Sequence, residues 1–137
     1  MKYQYFIASA WRNRDQVLEL TKKLRMKNKT VYSFLEAPHA KERVDINPEE
    51  HMKMVERMDI QTDPYIKAAF DNDMNGEKNS ECLILLLPAG KSAHIEAGVA
   101  YGLGKKCILI GKPDVSDSLY LIFEEIYPDI ESFINYL

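Results

Sequence analysis

Two apolar runs limit the folds that this 137-residue chain can adopt. The runs "CLILLL" (82–87) and "KCILI" (106–110) show no alternation of polar and apolar residues. A strand without such alternation is covered on both faces, as the strands of a parallel sheet with helices on each side are. The two runs therefore predict central strands of a parallel sheet.

The rest of the chain alternates between short strand-like runs and amphipathic stretches. The other predicted strands lie at 3–9, at 30–36 and, after a short helix, within 117–126. The predicted helices lie at 11–28, 63–79, 92–104 and 128–137. Repeated strand–helix units predict one α/β domain over residues 1–137. We expect an open, mainly parallel five-stranded sheet with helices on both faces, flavodoxin- or Rossmann-like, in the strand order 2-1-3-4-5.

Residues 37–62 do not fit this alternation. The segment is polar, contains two prolines and carries Met52, Val55 and Met58 at helical spacing. A long insertion after a strand is often a lid or one wall of a site. The alternative is that the methionine stripe only packs on the sheet, because methionine commonly fills gaps in a core.

The charge and hydropathy of the chain exclude several classes of partner. A net charge of −3 and a pI near 5.6 provide no basic field for a nucleic-acid polymer. No apolar run approaches the roughly 18 residues that a membrane helix needs. Ser9 and Arg12 interrupt the apolar start of the chain, which therefore does not resemble a secretory signal.

The cysteines and histidines match no metal motif. Cys82 and Cys107 each open a predicted strand, and we expect reduced, buried thiols and a cytoplasmic protein. His39 and His51 lack metal-ligand spacing, so neither a metal nor a cofactor is expected.

The sequence Gly90-Lys91-Ser92 has the ending of a phosphate-binding P-loop but not its beginning. Leu85 stands where the leading glycine of that motif would be, which argues against a nucleoside triphosphatase. Ligands of open α/β sheets nevertheless bind beyond the carboxyl ends of the strands, and this segment is such an end. Ser92 is the predicted N-cap of the following helix, whose free N–H groups, together with Lys91, would form an anion pocket.

Glu96 is the most informative acid in this helix. It would be the fourth helical residue after Ser92, too late for a capping box, and its neighbours are small or apolar. One interpretation is a partly buried functional carboxylate. The other is an acid stabilised by the helix dipole, an effect worth about 0.3–1 kcal/mol.

Over most of its length the chain resembles the nucleoside 2-deoxyribosyltransferase family and its nucleotide N-glycosidase relatives. The resemblance runs from "YFIAS" through "FDNDMNGEKNSECLILLL" to "GKSAHIEAGVAYGLGKKCILI". The family pattern has an acid and a glycine before the third strand, a carboxylate opening that strand, a Glu-x-Gly-x-Ala helix, and Gly-Lys before the fourth strand. The matching residues here are Asp73, Gly76, Glu81, Glu96 to Ala100, and Gly104-Lys105.

The resemblance implies an enzyme that cleaves the N-glycosidic bond of a nucleoside or a nucleoside 5′-monophosphate. Glu96 would be the nucleophile, forming a glycosyl-enzyme intermediate that passes to water or to another base. Asp73 would bind substrate, and a neighbouring subunit of a homodimer or larger homo-oligomer would complete the site. Gly90 stands where deoxyribosyltransferases usually carry an aspartate, while Lys91 and Ser92 suit a 5′-phosphate, so both hydrolase and transferase chemistry stay open.

Three further residues are candidate substrate contacts, each with a structural alternative. Ser9, at the end of the first strand, is placed to contact a ligand or to make a turn hydrogen bond. The Trp11 ring would stack on a base or cover the edge of the core. His94 would touch the substrate as a neutral imidazole or play a structural part.

Two other functions stay open at this point. A TIR-like NAD-cleaving domain has the same kind of sheet and a catalytic glutamate, and it cuts the same type of bond at nicotinamide. A non-catalytic nucleotide sensor would use the same cleft without turnover.

Overall fold

A computed structural model describes all 137 residues of the chain as an α/β fold. Its five strands are all parallel and lie in the order β2-β1-β3-β4-β5, which confirms the predicted fold class and strand order. The strands are β1 (Tyr3–Ala8), β2 (Val31–Ser33), β3 (Ser80–Leu86), β4 (Lys106–Ile110) and β5 (Glu125–Tyr127).

The helices connect and cover these strands. They are α1 (Arg14–Met26), α2 (Pro48–Glu56), α3 (Pro64–Lys78), α4 (Lys91–Gly102) and α5 (Ile130–Tyr136). Short 3₁₀ turns lie at Trp11–Asn13, Phe34–Glu36 and Ser118–Ile122. No helix combines the length and the apolar character needed to cross a membrane.

The central strands are buried on both faces, as their unbroken apolar sequences predict. On one face, alternate residues such as Ile84 and Ile108 pack with α1 and α5. On the other face, Leu83 and Leu109 pack with the small residues of α4. Because successive side chains of a strand point to opposite faces, each central strand contributes residues to two separate cores, one on each side of the sheet.

The predicted second strand is too long. Residues 30–36 were expected to be extended, but β2 covers only Val31–Ser33 and is followed by a 3₁₀ turn. The Ser33 hydroxyl accepts a hydrogen bond from the Leu35 backbone N–H, which caps this turn. The capping bond bends the chain away from the edge of the sheet despite the apolar sequence.

The insertion at 37–62 contains α2, as the methionine spacing indicates. Met52, Val55 and Met58 are half-buried, and the buried residue of α2 is His51. This helix packs mainly against the 3₁₀ turn that follows β1. The insertion therefore lies at the carboxyl edge of the sheet.

Gly76 allows α3 to approach the sheet closely. A Cβ atom at this position would lie 2.6 Å from two atoms of the Tyr32 ring. That ring cannot move freely because it stacks on Phe6 with a centroid distance of 5.1 Å. The absence of a side chain at Gly76 thus fixes the distance between α3 and β2.

We predict that Gly76→Ala lowers the free energy of unfolding by about 1–3 kcal/mol, because the added methyl overlaps the Tyr32 ring. Gly98→Ala in α4 is the matched control, since a Cβ there meets no atom within 4 Å. The control should leave stability unchanged or raise it by up to about 1 kcal/mol. Urea denaturation measures both variants, and equal stability of the two would contradict this account of the packing.

Candidate active site

Glu96 lies on α4, in the groove between α4 and α3. Ala93, Ala97 and Ala100 are buried against the sheet, and at 3.6 residues per turn Glu96 falls on the flank beside them. The nearby charges of Asp73 and Glu77, both in α3, affect its ionisation, which places the carboxyl on the α3 side. The side chain is half-buried and makes no hydrogen bond within the protein, so neither of its oxygens is engaged by another residue.

Asp73 is the second predicted site residue that the structure brings into this groove. It is half-buried, and the Tyr32 hydroxyl donates a hydrogen bond to Asp73 Oδ1 at 2.8 Å. The ring of Tyr32 is held by Phe6 and by an edge contact with Tyr3. The carboxylate of Asp73 therefore has a fixed orientation, with Oδ2 left for a ligand.

Glu77 is a third carboxyl in the groove, and the sequence analysis missed it. Its side chain is fully buried, and neither oxygen has a hydrogen-bond partner. It follows Asp73 by one helical turn, so the two lie on the same face of α3. That four-residue spacing was the signal in the sequence that would have identified it.

The pKa values of the three acids are raised mainly by burial. Burial and the charges of Asp73 and then Glu77 raise the pKa of Glu96 to about 9. Burial raises the pKa of Glu77 to about 7, with Lys105 opposing the shift and Asp73 adding to it. Burial also raises the pKa of Asp73 to about 6, although the Tyr32 hydrogen bond lowers it. The free protein thus holds at least one proton on this cluster at neutral pH.

The start of α4 differs from the prediction. Gly90, not Ser92, is the N-cap residue, and no side chain caps this end of the helix. Both Lys91 and Ser92 are exposed and follow Gly90 as the first two helical residues. The helix begins earlier because Gly90 is already extended and its carbonyl accepts bonds from the His94 backbone N–H and ring Nδ1.

This earlier start changes the interpretation of Glu96. Counted from Lys91, Glu96 is the sixth helical residue rather than the fourth. The favourable effect of a helix dipole on an acid fades within the first turn. A role as a dipole-stabilised acid therefore explains Glu96 poorly.

His94 lies on the opposite flank of α4 from Glu96. Its Nδ1 donates to the Gly90 carbonyl at 2.7 Å, and its Nε2 lies 2.9 Å from the Tyr120 hydroxyl. Cavities of about 470 and 480 Å³ meet at His94 and Tyr120, on that side of the helix. The structure thus separates His94 from the carboxyl cluster.

Ser9 and Trp11 are engaged in contacts within the protein. The Ser9 hydroxyl donates to the Leu86 carbonyl at 2.8 Å and accepts from Asn13 Nδ2, joining the ends of β1 and β3. The Trp11 ring lies 3.8 Å from the His51 ring, measured between centroids, and also packs edge-on against Phe34. One face of Trp11 is therefore covered by the insertion.

No group of three or more histidine, cysteine, aspartate or glutamate residues is arranged to hold a metal ion. Cys107 is buried and Cys82 is half-buried, and both thiols are free.

No family model matches the sequence, and no curated protein matches it. Solved structures do match. The chain is similar to a 2-deoxyribosyltransferase from Bacillus psychrosaccharolyticus, with a TM-score of 0.65 and 18% identity over 98% of this chain and 92% of that one. It is also similar to the CMP N-glycosidase BcmB of Clostridium botulinum, with a TM-score of 0.55 and 18% identity over 97% of this chain and 96% of that one. These likenesses show that the chain shares the fold of both proteins over nearly its whole length.

Proposed function

We propose that this protein is an enzyme that cleaves the N-glycosidic bond of a nucleoside or a nucleoside 5′-monophosphate through Glu96. The observation that carries the proposal is the half-buried, unbonded Glu96 carboxyl beside Asp73, on the flank of α4 that faces α3. Buried acids with strongly shifted pKa values are typical of catalytic sites. The shared fold with a deoxyribosyltransferase and an N-glycosidase supports the same chemistry.

The proposed reaction has two steps. The Glu96 carboxyl gives up its proton, and a carboxylate oxygen bonds to C1′ of the sugar while the C1′–N electron pair leaves with the base. The base takes up a proton, so the proton lost by the cluster balances the one gained by the leaving group. Water or a second base then attacks C1′ and gives up a proton to the carboxyl cluster, while the bond between C1′ and the Glu96 oxygen breaks and its electron pair returns to the carboxylate.

A carboxylate suits this reaction because the transition state has the character of a sugar oxocarbenium ion. A nearby anion stabilises that positive charge before it forms the bond. The low-dielectric groove between α3 and α4 strengthens this attraction relative to water. Asp73, oriented by Tyr32, would hold the sugar hydroxyls or the base.

The other predicted contacts have unequal support. Gly90, Lys91 and Ser92 lie at the open end of α4, where the uncapped N–H groups would face a ligand beyond β3. Ser9 lies at the neighbouring end of β1, but its hydroxyl is already bonded. We assign structural roles to His94 and Trp11, because the first faces away from Glu96 and the second packs on His51.

We predict that Glu96→Gln lowers turnover by about a thousandfold or more, because the amide cannot act as the nucleophile. The measurement is product formation from a panel of nucleosides, 5′-nucleotides and NAD, with and without an acceptor base. Glu81→Gln is the control, since Glu81 is an exposed carboxylate at the start of β3.

Normal rates in Glu96→Gln would show that another residue is the nucleophile. Ligand binding without turnover in the parent protein would indicate a nucleotide sensor, and release of nicotinamide alone would indicate an NAD-cleaving enzyme.

We predict that the acid limb of kcat/KM moves to lower pH in Glu77→Gln. The nucleophile acts when ionised, so activity is lost as the pH falls through the pKa of Glu96, which is about 9 in the free protein. Removing the Glu77 carboxyl removes a negative neighbour and lowers that pKa. Rate profiles from pH 5 to 10 measure the limb, and Glu81→Gln should leave it in place. A limb that stays unchanged in Glu77→Gln would show that the two acids are not coupled.

We further propose that the protein forms a homodimer or a larger homo-oligomer. Large apolar side chains are exposed on α4 and on the 3₁₀ turn that packs beside it: Ile95, Tyr101, Leu119 and Leu121. Leu121 is 88% exposed, an unfavourable position for leucine on a monomer. A second copy of the chain would cover these side chains.

Leu119→Lys combined with Leu121→Lys should shift the protein toward a monomer in sedimentation velocity, because two charges would be buried in the interface. Met26→Lys is the control, since Met26 is 73% exposed at the end of α1, on the other face of the sheet. A parent protein that is monomeric at all concentrations would refute the oligomer.

A further inference from the structure

Arg43, in the insertion at 37–62, has no polar partner for its side chain. It is half-buried, and its Nη1 is shielded from solvent without a hydrogen bond. It belongs to none of the ion pairs of the protein. Arg14 and Arg25, in contrast, bond to backbone carbonyls and to carboxylates. Because a guanidinium keeps its charge and its five N–H donors, Arg43 is available to an anion.

The Arg43 guanidinium packs on the ring of Tyr65, which in turn contacts two histidine rings. Its Cζ lies over the Tyr65 ring, 4.1 Å from the centroid. The rings of His39 and His51 lie 5.5 and 6.0 Å from Tyr65. His51 is fully buried, and its Nδ1 has no partner. We call Arg43, His39, His51 and Tyr65 the Arg43 cluster.

The Arg43 cluster carries one fixed positive charge and several uncharged donors. Burial, followed by the charge of Arg43, lowers the pKa of His39, and the same causes together with His39 lower that of His51 to about 4. Both imidazoles are therefore neutral at neutral pH, and each keeps one N–H. A guanidinium without a polar partner, near the unpartnered Nδ1 of His51, provides the chemistry that phosphate oxygens require.

The cluster lies next to the acidic groove. The His39 Nδ1 contacts Asn72 Nδ2 at 3.0 Å, and Asn72 immediately precedes Asp73. Tyr65 is in the first turn of α3, and Asn72 lies seven residues later, about 10 Å along the helix. The insertion thus contacts α3 at Tyr65 and at Asn72, the residue before Asp73. A ligand with an anionic group at one end and a sugar at the other matches this arrangement.

We propose that the Arg43 cluster binds the 5′-phosphate of the substrate, so that nucleoside 5′-monophosphates are preferred over nucleosides. The identification of the ligand as a nucleotide rests on the proposed function, whereas the anion site rests on Arg43 and His51. In a β-nucleotide the 5′-phosphate arm and the base lie on the same face of the sugar ring, which leaves the opposite face of C1′ open to Glu96 while the phosphate extends toward Arg43. The insertion is then one wall of the site, and the exposed Lys91 and Ser92 are not needed for the phosphate.

The test compares paired ligands in variants of Arg43. Arg43→Met removes the charge at similar length, and Arg43→Lys keeps the charge without the planar fork. Arg57→Met is the matched control, because Arg57 is an exposed arginine just after α2 without a polar partner. Calorimetric titration with each common nucleoside and its 5′-monophosphate, at constant ionic strength, gives the affinity ratio. All variants are also made in the Glu96→Gln background, so that binding is measured without turnover.

We expect the parent protein and Arg57→Met to bind the monophosphate about ten- to a hundredfold more tightly than the nucleoside. Arg43→Met should bind both forms with the affinity of the nucleoside, and Arg43→Lys should keep part of the preference. Because the nucleoside is measured in each variant, a general loss of structure would weaken both ligands and is separated from loss of the phosphate contact.

An equal affinity for both forms in the parent, or a preference that survives Arg43→Met, would overturn the anion site. Cleavage that depends on Glu96 but not on Arg43 would refute this site and leave the proposed function intact. Phosphate-dependent binding through Arg43 without any cleavage would support this site and contradict the proposed function.

Discussion

The close packing of α4 against the sheet is the constraint on which the candidate site depends. Ala93, Ala97 and Ala100 present only methyl groups to β3 and β4, so the helix lies near the strands. This proximity takes the adjoining Glu96 side chain partly out of water without any partner to bond it. Larger residues at the alanine positions would lift the helix and return the carboxyl to solvent. The reactivity that we assign to Glu96 is therefore a consequence of how the helix is packed.

Three carboxyls in one groove are unfavourable for folding. A buried carboxylate loses its hydration, and like charges nearby disfavour its ionised form further. The protein accommodates the group by holding protons on it, because burial raises the pKa of the fully buried Glu77 to about 7. Such a cluster is tolerated because the sheet contributes two apolar cores, one on each face. The stability of the sheet thus offsets an arrangement that is unfavourable for folding and that we propose to be catalytic.

The charge along α3 is divided between its two ends. The carboxyls of Asp73 and Glu77 lie toward the end of the helix, and the unpaired Arg43 lies beside its first turn. The insertion brings Arg43 to this position, and the contact of His39 with Asn72 ties the insertion to the middle of the helix. A segment outside the strand–helix repeat thereby places a positive charge beside the first turn of α3. The two flanks of α4 are divided in the same way, with Glu96 facing α3 and His94 facing Tyr120.

The fold was predictable from the sequence because strands that are buried on both faces have continuous apolar sequences. The runs at 82–87 and 106–110 predicted central parallel strands, and the strand order was predicted from the flavodoxin- or Rossmann-like class of fold; the structure confirms both. Glu96 and Asp73 were predicted as site residues from the resemblance, and the structure places both in one groove. The capping role of Ser92 was predicted wrongly, since the cap depends on backbone angles at Gly90 that no side-chain pattern records.

Contacts between distant segments explain what the sequence could not predict. In the sequence, Tyr32 is an ordinary strand residue. Only the fold brings its hydroxyl within hydrogen-bond distance of Asp73, 41 positions away. In the sequence, Glu77 and Arg43 have the appearance of surface charges. In the fold, both oxygens of Glu77 and the Nη1 of Arg43 are shielded from water. The sequence by itself determined which segments form strands and helices and in what order, because local periodicity reflects burial. Only the tertiary structure decided which charges are left without partners, because that depends on what the folded chain brings together.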